Sequence, residues 1–564
     1  MKRWKVLEQA PEARTELANS LHLNPLIAQI LINRGICTAG QIEKFLDPKL
    51  SHLSDPFDIP GIQKAAQRIF EAKEKQQKVL VYGDYDVDGV TGTTVLLETL
   101  KHMGIHTTYY IPFRYGEGYS LNMEAIKKIK REKVDLIVTV DCGISSKKEI
   151  ELANSLGIDV IVTDHHNLPE ELPPALAVIN PKMIKSEHPT KDLAGVGVAF
   201  KFAWGLLRLA GIRDREFLTE LLDMVSLGTI ADIVPLTAEN RILTVHGLRY
   251  LNGKKRMGIK FLTEAASIYK KLSIRDVNFA LAPRLNAAGR LEHASLSVEL
   301  LTAHDPARAR NNARELNRLN GQRQQIGKNI QNEVLEIISQ ESPDLQKIII
   351  HSGQGWHPGV IGITAAQIVE KFYRPAILIG INEGIGRGSA RSIEGYNIYK
   401  LLEANNDLFV EFGGHAAAAG FEIRPENIEE LKNRIRNSVQ ELITDETFSP
   451  IIKIDTELKP IDISLNLIKD LEALEPFGEG NPAPIFMTRA LKVVYTRRVG
   501  SVGSHLRLKL SDGKVGLDVI GFGLGKLEDT LSYDKTYDIA YKLETNTWDG
   551  FEVAQLNLVD IKES

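Results

Sequence analysis

From residue 77 to residue 180, short apolar and β-branched runs alternate with segments of helical periodicity. The runs are KVLVYG (78–83), DLIVTV (135–140), IDVIVT (158–163) and AVIN (177–180). Strand-length runs separated by helical patterns predict βα units and a parallel sheet. Further helices are expected at 199–211 and around Met224 to Leu236. Residues 305–340 are polar and free of proline after Pro306, with apolar positions at Leu316, Leu319, Ile326, Ile330, Val334 and Ile337. That pattern predicts a long helix with a narrow apolar stripe, suited to connect two domains. A second α/β segment runs from KIIIHSG (347–353) through PAILIG (375–380) to a glycine-rich stretch at 413–420.

The pattern changes again near the C-terminus. LKVVYT (491–496), HLRLKL (505–510), GLDVIGF (516–522) and DIAYKLE (538–544) alternate apolar with polar positions and are separated by SDG and WDG turns. Short strands at this spacing predict a small antiparallel barrel of OB type, with a sandwich as the alternative. At the other end, helical segments broken by Pro25, Pro48, Pro56 and Pro60 carry no recognisable chemistry. The expected architecture is therefore α/β with a C-terminal all-β barrel. Its parts are an N-terminal helical extension (1–60), a parallel-sheet domain (61–245), a helical region with the connector helix (246–345), a smaller α/β domain (346–448) and the OB-like barrel (449–564).

Composition changes this picture little. A chain of 564 residues with 43% hydrophobic and 25% charged residues has material for several cores. Its net charge of −4 excludes a uniformly basic coat, although phosphate binding depends on local charge and not on the sum. Only Cys37 and Cys142 are present, so a disulfide framework is excluded and a reducing compartment is expected. The N-terminal segment lacks the apolar run of a signal peptide, and no stretch is long enough to span a bilayer. A cytoplasmic protein without membrane contact is expected.

The candidate chemistry lies where the predicted strands end. The first run leads into Asp84, Asp86 and Asp88, three carboxylates within five residues. Two such charges at 4 Å repel by about 1 kcal/mol in water and about 4 kcal/mol at an effective dielectric of 20, so a cation is the natural companion. An EF-hand loop starting at Asp84 would need a glutamate where Val95 stands, which rules against that type of calcium site. The second run ends in Asp141 and the third in Asp164, His165 and His166. One such aspartate could simply cap the next helix. Three strand ends delivering acids and imidazoles to one sheet edge point instead to a metal centre. Asp232, an acid within an apolar run, adds a further donor that needs a partner if buried. Cys142 should point away from Asp141 along a continuing strand and is read as structural. Enough oxygen and nitrogen donors are present for two ions and a phosphodiester.

These motifs, in this order, resemble the DHH phosphoesterase superfamily. The downstream segment resembles its companion DHHA1 domain in 356–362 (WHPGVIG), 386–392 (GRGSARS) and 413–420 (GGHAAAAG). The stretches 282–290 (APRLNAAGR) and 477–482 (FGEGNP) resemble the RecJ-type exonucleases within that superfamily. The similarity covers nearly all of the chain after about residue 60. It implies two divalent cations, Mn²⁺ or Mg²⁺, held by Asp86, Asp88, Asp141, His165 and Asp232, with Asp141 bridging. Asp84 would support the first ion, and His166 would approach the scissile phosphate. It implies a 5′-to-3′ exonuclease that degrades single-stranded DNA to 5′-mononucleotides in DNA repair and recombination. It also implies a monomer that works beside a single-strand-binding protein and a RecQ-type helicase. One departure stands out. Many superfamily members place a histidine ligand where this chain has Tyr82, which leaves the first ion to Asp84 or water.

For the substrate, Arg387, Ser389 and Arg391 combine guanidinium groups with flexible glycine backbone, a suitable phosphate clamp. Gly414 and His415 lie in a segment that lets backbone approach an anion. Arg284, Arg290 and His357 are further candidates, with a structural ion pair as the alternative for either arginine. In the barrel, His505, Arg507 and Lys509 should share one strand face opposite Leu506, Leu508 and Leu510. Arg497 and Arg498 extend that basic cluster, and Tyr495 and Trp548 could stack bases or pack in the core. Two other readings are weighed: a compact DHH phosphodiesterase for very short RNA, adenosine bisphosphate or cyclic dinucleotides, and a replication scaffold that has lost catalysis. The barrel and connector favour a polymer over the first. The complete acid and histidine set opposes the second.

Overall fold

The computed structural model describes residues 2–118, 120–340, 347–442, 448–548 and 551–564. After a short strand, β1 (Arg3–Val6), come helices Pro11–Leu21, Pro25–Asn33 and Ala39–Leu46. Pro25 and Pro56 do not break helices. Each occupies a first helical turn behind a cap, Asn24 and Asp55 respectively, where the missing N–H costs nothing.

The four apolar runs form β2 (Val79–Gly83), β4 (Leu136–Val140), β5 (Asp159–Thr163) and β6 (Ala177–Ile179), joined by β3 (Thr107–Tyr110). The sheet is parallel throughout, in the order β3-β2-β4-β5-β6. Its faces are buried against different cores. Val79, Val81, Val138 and Val140 join the larger one, while Leu80, Tyr82, Ile137 and Val160 join the other. Such double burial explains the uninterrupted apolar runs.

The connector helix Pro306–Gln340 spans 35 residues, about 50 Å at 1.5 Å per residue. Its stripe serves two cores in turn. Ala309, Ala313, Leu316 and Leu319 pack on the first domain, and Ile330, Val334 and Ile338 pack on the second. Ile338, not Ile337, completes the buried row, four residues beyond Val334. The second domain has a mixed sheet of β7 (Ile349–Gln354), β8 (Ala376–Asn382), β9 (Ile385–Arg391), β10 (Phe409–His415) and β11 (Ala418–Ile423), ordered β10-β11-β9-β8-β7. Only the β7–β8 pair is parallel.

Beyond β12 (Ile451–Ile454) and β13 (Thr456–Glu457), strands β14 (Phe486–Val499), β15 (His505–Ser511), β16 (Gly516–Gly521), β17 (Thr536–Trp548) and β18 (Phe551–Glu563) close on themselves. The circuit β14-β15-β16-β18-β17-β14 has a parallel β16–β18 pair and is otherwise antiparallel, an OB barrel. Leu506, Leu508 and Leu510 are fully buried inside it. The N-terminal helices share that core through Ile27, Ile30, Leu31, Ile42 and Phe45, and β1 pairs with β12. The two ends of the chain thus make one lobe.

Candidate metal centre and substrate cleft

At the end of β2 the chain turns through Asp84 and enters the helix Val87–His102. Asp86 caps that helix, its Oδ1 accepting from Gly89 N at 3.0 Å, while lying within reach of Asp84 and Asp141. Asp88 lies buried in the first turn and accepts from the N–H groups of Gly195 and Val196 at 2.6 and 2.8 Å. Those amides open the helix Gly195–Leu209, whose N-terminal dipole favours a carboxylate. A side chain at residue 195 would put Cβ 2.7 Å from Asp141 Cβ, so only glycine lets the amide reach this depth.

β4 delivers Asp141, held at φ +59°, and Cys142 turns the other way, buried with Sγ 3.7 Å from Tyr82 O. β5 delivers Asp164, His165 and His166. His165 Nε2 lies 3.1 Å from Asp141 Oδ1, 3.6 Å from Asp232 Oδ2 and 3.8 Å from Asp88 Oδ2. Three sets of donors converge within 4.8 Å: Asp84, Asp86 and Asp141; Asp88, His165 and Asp232; and Asp141, His165 and His166. All seven predicted acids and histidines are therefore brought together, with Asp141 common to two sets.

The electrostatics fit a cation. Burial first, then the neighbouring carboxylates, raises Asp84, Asp88 and Asp141 well above the usual carboxylate range. Burial and then Asp86 push Asp232 up to about 7. Burial, reinforced by His166, pushes His165 down to about 3, so its ring is a neutral donor. The buried atoms Asp84 Oδ1 and His165 Nε2 make no protein hydrogen bond, which is costly unless an ion completes them.

Asp164, quoted in the motif but given no role from sequence, is the organiser of the pair. It accepts from the N–H groups of Ile144, His165 and His166 and from His166 Nδ1 at 2.7 Å. Burial opposes its charge, but His166 outweighs this and holds its pKa below the ordinary value. His166 shifts upward in return, burial notwithstanding, and its ring is about half exposed at 47%. Tyr82 stands on the opposite sheet face, its hydroxyl donating to Ser120 O at 3.0 Å. It is not among the converging donors, where Asp84 lies with Asp86 and Asp141.

A cleft of about 410 Å³ opens between the two domains, lined by Tyr85, Arg114 and Tyr115 on one wall and Arg387, Gly388, Ser389 and Phe412 on the other. The volume suits a small-ligand site (about 300–1,000 Å³). Arg114 rests over the Tyr85 ring at 4.8 Å. It was not singled out from sequence, although a basic residue between aromatics (FRYGEGY) was a usable signal. Arg387 pairs with Glu422 at 2.8 Å, and Arg391 donates to Ser389 Oγ at 3.1 Å. Arg290 donates to Gly359 O at 3.1 Å. Burial, then Arg114, pulls it down to about 10. Crowded guanidinium groups of this kind are completed by an anion. Arg284 donates to Asn317 Oδ1 and Ala280 O. His357 caps the helix Pro358–Phe372 and sits edge-on to Tyr115 at 6.0 Å.

The glycine-rich stretches depart from expectation. Residues 386–391 are not flexible loop but strand β9, where Gly388 is needed because a Cβ would meet the Phe421 ring at 2.0 Å. Gly414 and His415 lie in the β10–β11 hairpin, paired with Ala419 and Ala418, at the exposed sheet edge. In the barrel, Arg507 and Lys509 are exposed beside the buried leucines. Arg507 lines a second cavity with Asp518, Asn546, Phe551 and Val553, on the β15–β16 face near the β17–β18 turn. Arg498 pairs with Glu528 at 3.1 Å. Tyr495 is partly exposed, and the Trp548 side chain lies outside the described residues. Another cavity, of about 520 Å³, is lined by Arg256, which is already engaged by Glu98 and Asp223.

Comparison with known proteins agrees with this geometry. Residues 78–229 match the DHH family N-terminal domain, 345–441 the DHHA1 domain and 454–560 the RecJ OB domain. The single-stranded-DNA-specific exonuclease RecJ of Bacillus subtilis is 38% identical over 99% of this chain and 70% of its own length. That of Haemophilus influenzae is 36% identical over 97% of both chains. The crystal structure of RecJ from Thermus thermophilus in complex with Mn²⁺ superposes with a TM-score of 0.86 at 31% identity, covering 100% of this chain and 80% of that one. A second structure from that organism is in complex with Mg²⁺. Fold, donor set and full-length similarity agree: this chain belongs to the RecJ family of DHH phosphoesterases.

Proposed function

We infer that the chain is a single-stranded-DNA-specific exonuclease that hydrolyses phosphodiester bonds with two divalent cations, Mn²⁺ or Mg²⁺. The observation that carries this is the convergence of five aspartates and two histidines beside an arginine-lined cleft. Asp84, Asp86 and Asp141 would hold one cation, and Asp88, His165 and Asp232 the other. When bound, the pair supplies an activated water and neutralises the charge that develops on the phosphorus centre. The chain's own groups do the rest. His166, fixed by Asp164 and shifted toward its protonated form, donates to a non-bridging phosphate oxygen. Arg114, Arg387 and Arg391 anchor the neighbouring phosphates, and Tyr85 and Tyr115 offer ring faces to the bases. Water adds to phosphorus, the bond to the departing oxygen breaks, and a mononucleotide leaves.

Attack from the 5′ end with release of 5′-mononucleotides, and work in DNA repair and recombination, belong to the same reading. So do action as a monomer in the cytoplasm and recruitment by a single-strand-binding protein or a RecQ-type helicase. The OB barrel, where Arg507 and Phe551 line one cavity, supports a polymer over a dinucleotide substrate. Hydrolysis of matched single-stranded DNA, blunt duplex and a dinucleotide in Mn²⁺ tests it. The single strand should have by far the highest kcat/KM; a preference for the dinucleotide would replace this reading with that of a small-substrate phosphodiesterase.

A further inference from the structure

The FGEGNP stretch at 477–482 has no part in the reading above. It folds into a tight hairpin in which Gly478 and Asn481 exchange backbone hydrogen bonds of 2.9 and 3.2 Å. The buried Asn481 side chain donates to the carbonyls of Leu474 and Pro476 at 2.8 and 3.0 Å. The hairpin's outer edge seats on the segment that follows Asp232. Leu236 N donates to Glu479 O at 2.7 Å. A Cβ on Gly478 would lie 2.6 Å from Leu236 Cδ1, and one on Gly480 would lie 3.0 Å from Pro235 Cβ.

That segment needs holding. Asp232 ends the helix Leu222–Ala231, and the next residue, Ile233, has φ +59°, a strained conformation for a β-branched side chain. Ile233 is 65% exposed, so its own packing does not fix it. Asn240 holds the turn from inside the catalytic domain, donating to Pro235 O at 3.0 Å. Its neighbour Arg241 grips the root of the hairpin through the carbonyls of Ala473, Leu474 and Glu475 at 3.3, 3.1 and 2.8 Å. The hairpin restrains the turn from the opposite side, through the Leu236 N to Glu479 O bond.

We propose that residues 477–482, which lead into the barrel, are a positioning device for Asp232: they clamp the strained Ile233–Thr237 turn and so hold one cation site in its binding geometry. The proposal rests on the two-cation reading. It makes cation affinity at the Asp88–His165–Asp232 set depend on a hairpin from the C-terminal domain.

The test is calorimetric titration of Mn²⁺ into the full chain without DNA, with the Mn²⁺-induced shift of Tm read alongside. Gly478→Val should weaken one of two binding events about tenfold, the scale set by loss of an outer support to a metal ligand, and leave the other unchanged. Adding Leu236→Ala removes the atoms the valine meets and should restore the lost affinity. Gly478→Ala should give a smaller loss in the same event and serves if the valine variant does not fold. Wild-type affinity for both ions in the Gly478 variants, or a loss that Leu236→Ala does not repair, overturns the proposal. A wild-type chain that binds no Mn²⁺ overturns the two-cation reading beneath it instead.

Discussion

Asp84, Asp88 and Asp141 are buried within reach of one another, so without cations the folded chain must hold some of these carboxyls protonated. Between the ordinary carboxylate value of about 4 and the value of about 7 at Asp232, the folded form binds more protons than the unfolded one. Stability must then fall as pH rises. In a chelator, Tm should drop between about pH 5 and about pH 8; with saturating Mn²⁺ the drop should vanish, because the ions replace the protons. A melting series at both pH values checks this, and a chelated chain that gains stability with pH would contradict it. Beside the other wall of the cleft, Arg391 donates to the lining residue Ser389, and Arg391→Ala should raise KM about tenfold to a hundredfold, the worth of one charge-assisted hydrogen bond (about 1.5–3 kcal/mol). Steady-state kinetics reads this directly. At this scale the sequence was most legible where chemistry and chain order coincide: Asp84, Asp86, Asp88, Asp141, His165 and His166, named from the strand ends, all reach the converging sets. Asp164, Gly195 and Arg114 were less legible, because their roles depend on what they meet across the fold, not on neighbours in the chain.

At the scale of elements, period-two alternation identified the barrel strands and the face carrying Arg507 and Lys509. Arg507→Ala should weaken single-strand binding and reduce the slope of log K against log salt by about 1, the signature of one lost phosphate contact. Phe551→Ala should cost about 1–3 kcal/mol in the same titration if a base stacks there. Dinucleotide hydrolysis should be unchanged in both. Strand β3 escaped the apolar pattern because TTYY is short and only partly buried. The glycines of β9 read as flexible backbone because glycine signals flexibility in a sequence, whereas in this sheet Gly388 makes room for Phe421. The connector's register was legible to within one residue, the difference between Ile337 and Ile338.

At the scale of the whole molecule, the N-terminal helices read as an extension, since nothing in their own pattern names a partner. In the fold they complete the barrel's core, and buried Arg241 ties that lobe to the catalytic domain by donating to Phe45, Ala473, Leu474 and Glu475 carbonyls. Arg241→Ala strands those buried acceptors at about 1–3 kcal/mol each. Chemical unfolding should then lose several kcal/mol of stability and split into separate steps for the two lobes. The proposed clamp on Asp232 depends on this assembly, because Arg241 holds the root of the hairpin. The central claim is that the assembled site cuts single-stranded DNA from its 5′ end with cations held by the clustered acids. The most direct measurement incubates the chain and Mn²⁺ with long single strands blocked at one end or the other, beside an Asp88→Ala control. Shortening of the 3′-blocked strand alone to 5′-mononucleotides, with an inert Asp88→Ala protein, is the result expected; shortening of the 5′-blocked strand alone, or undiminished activity in the control, would contradict the account.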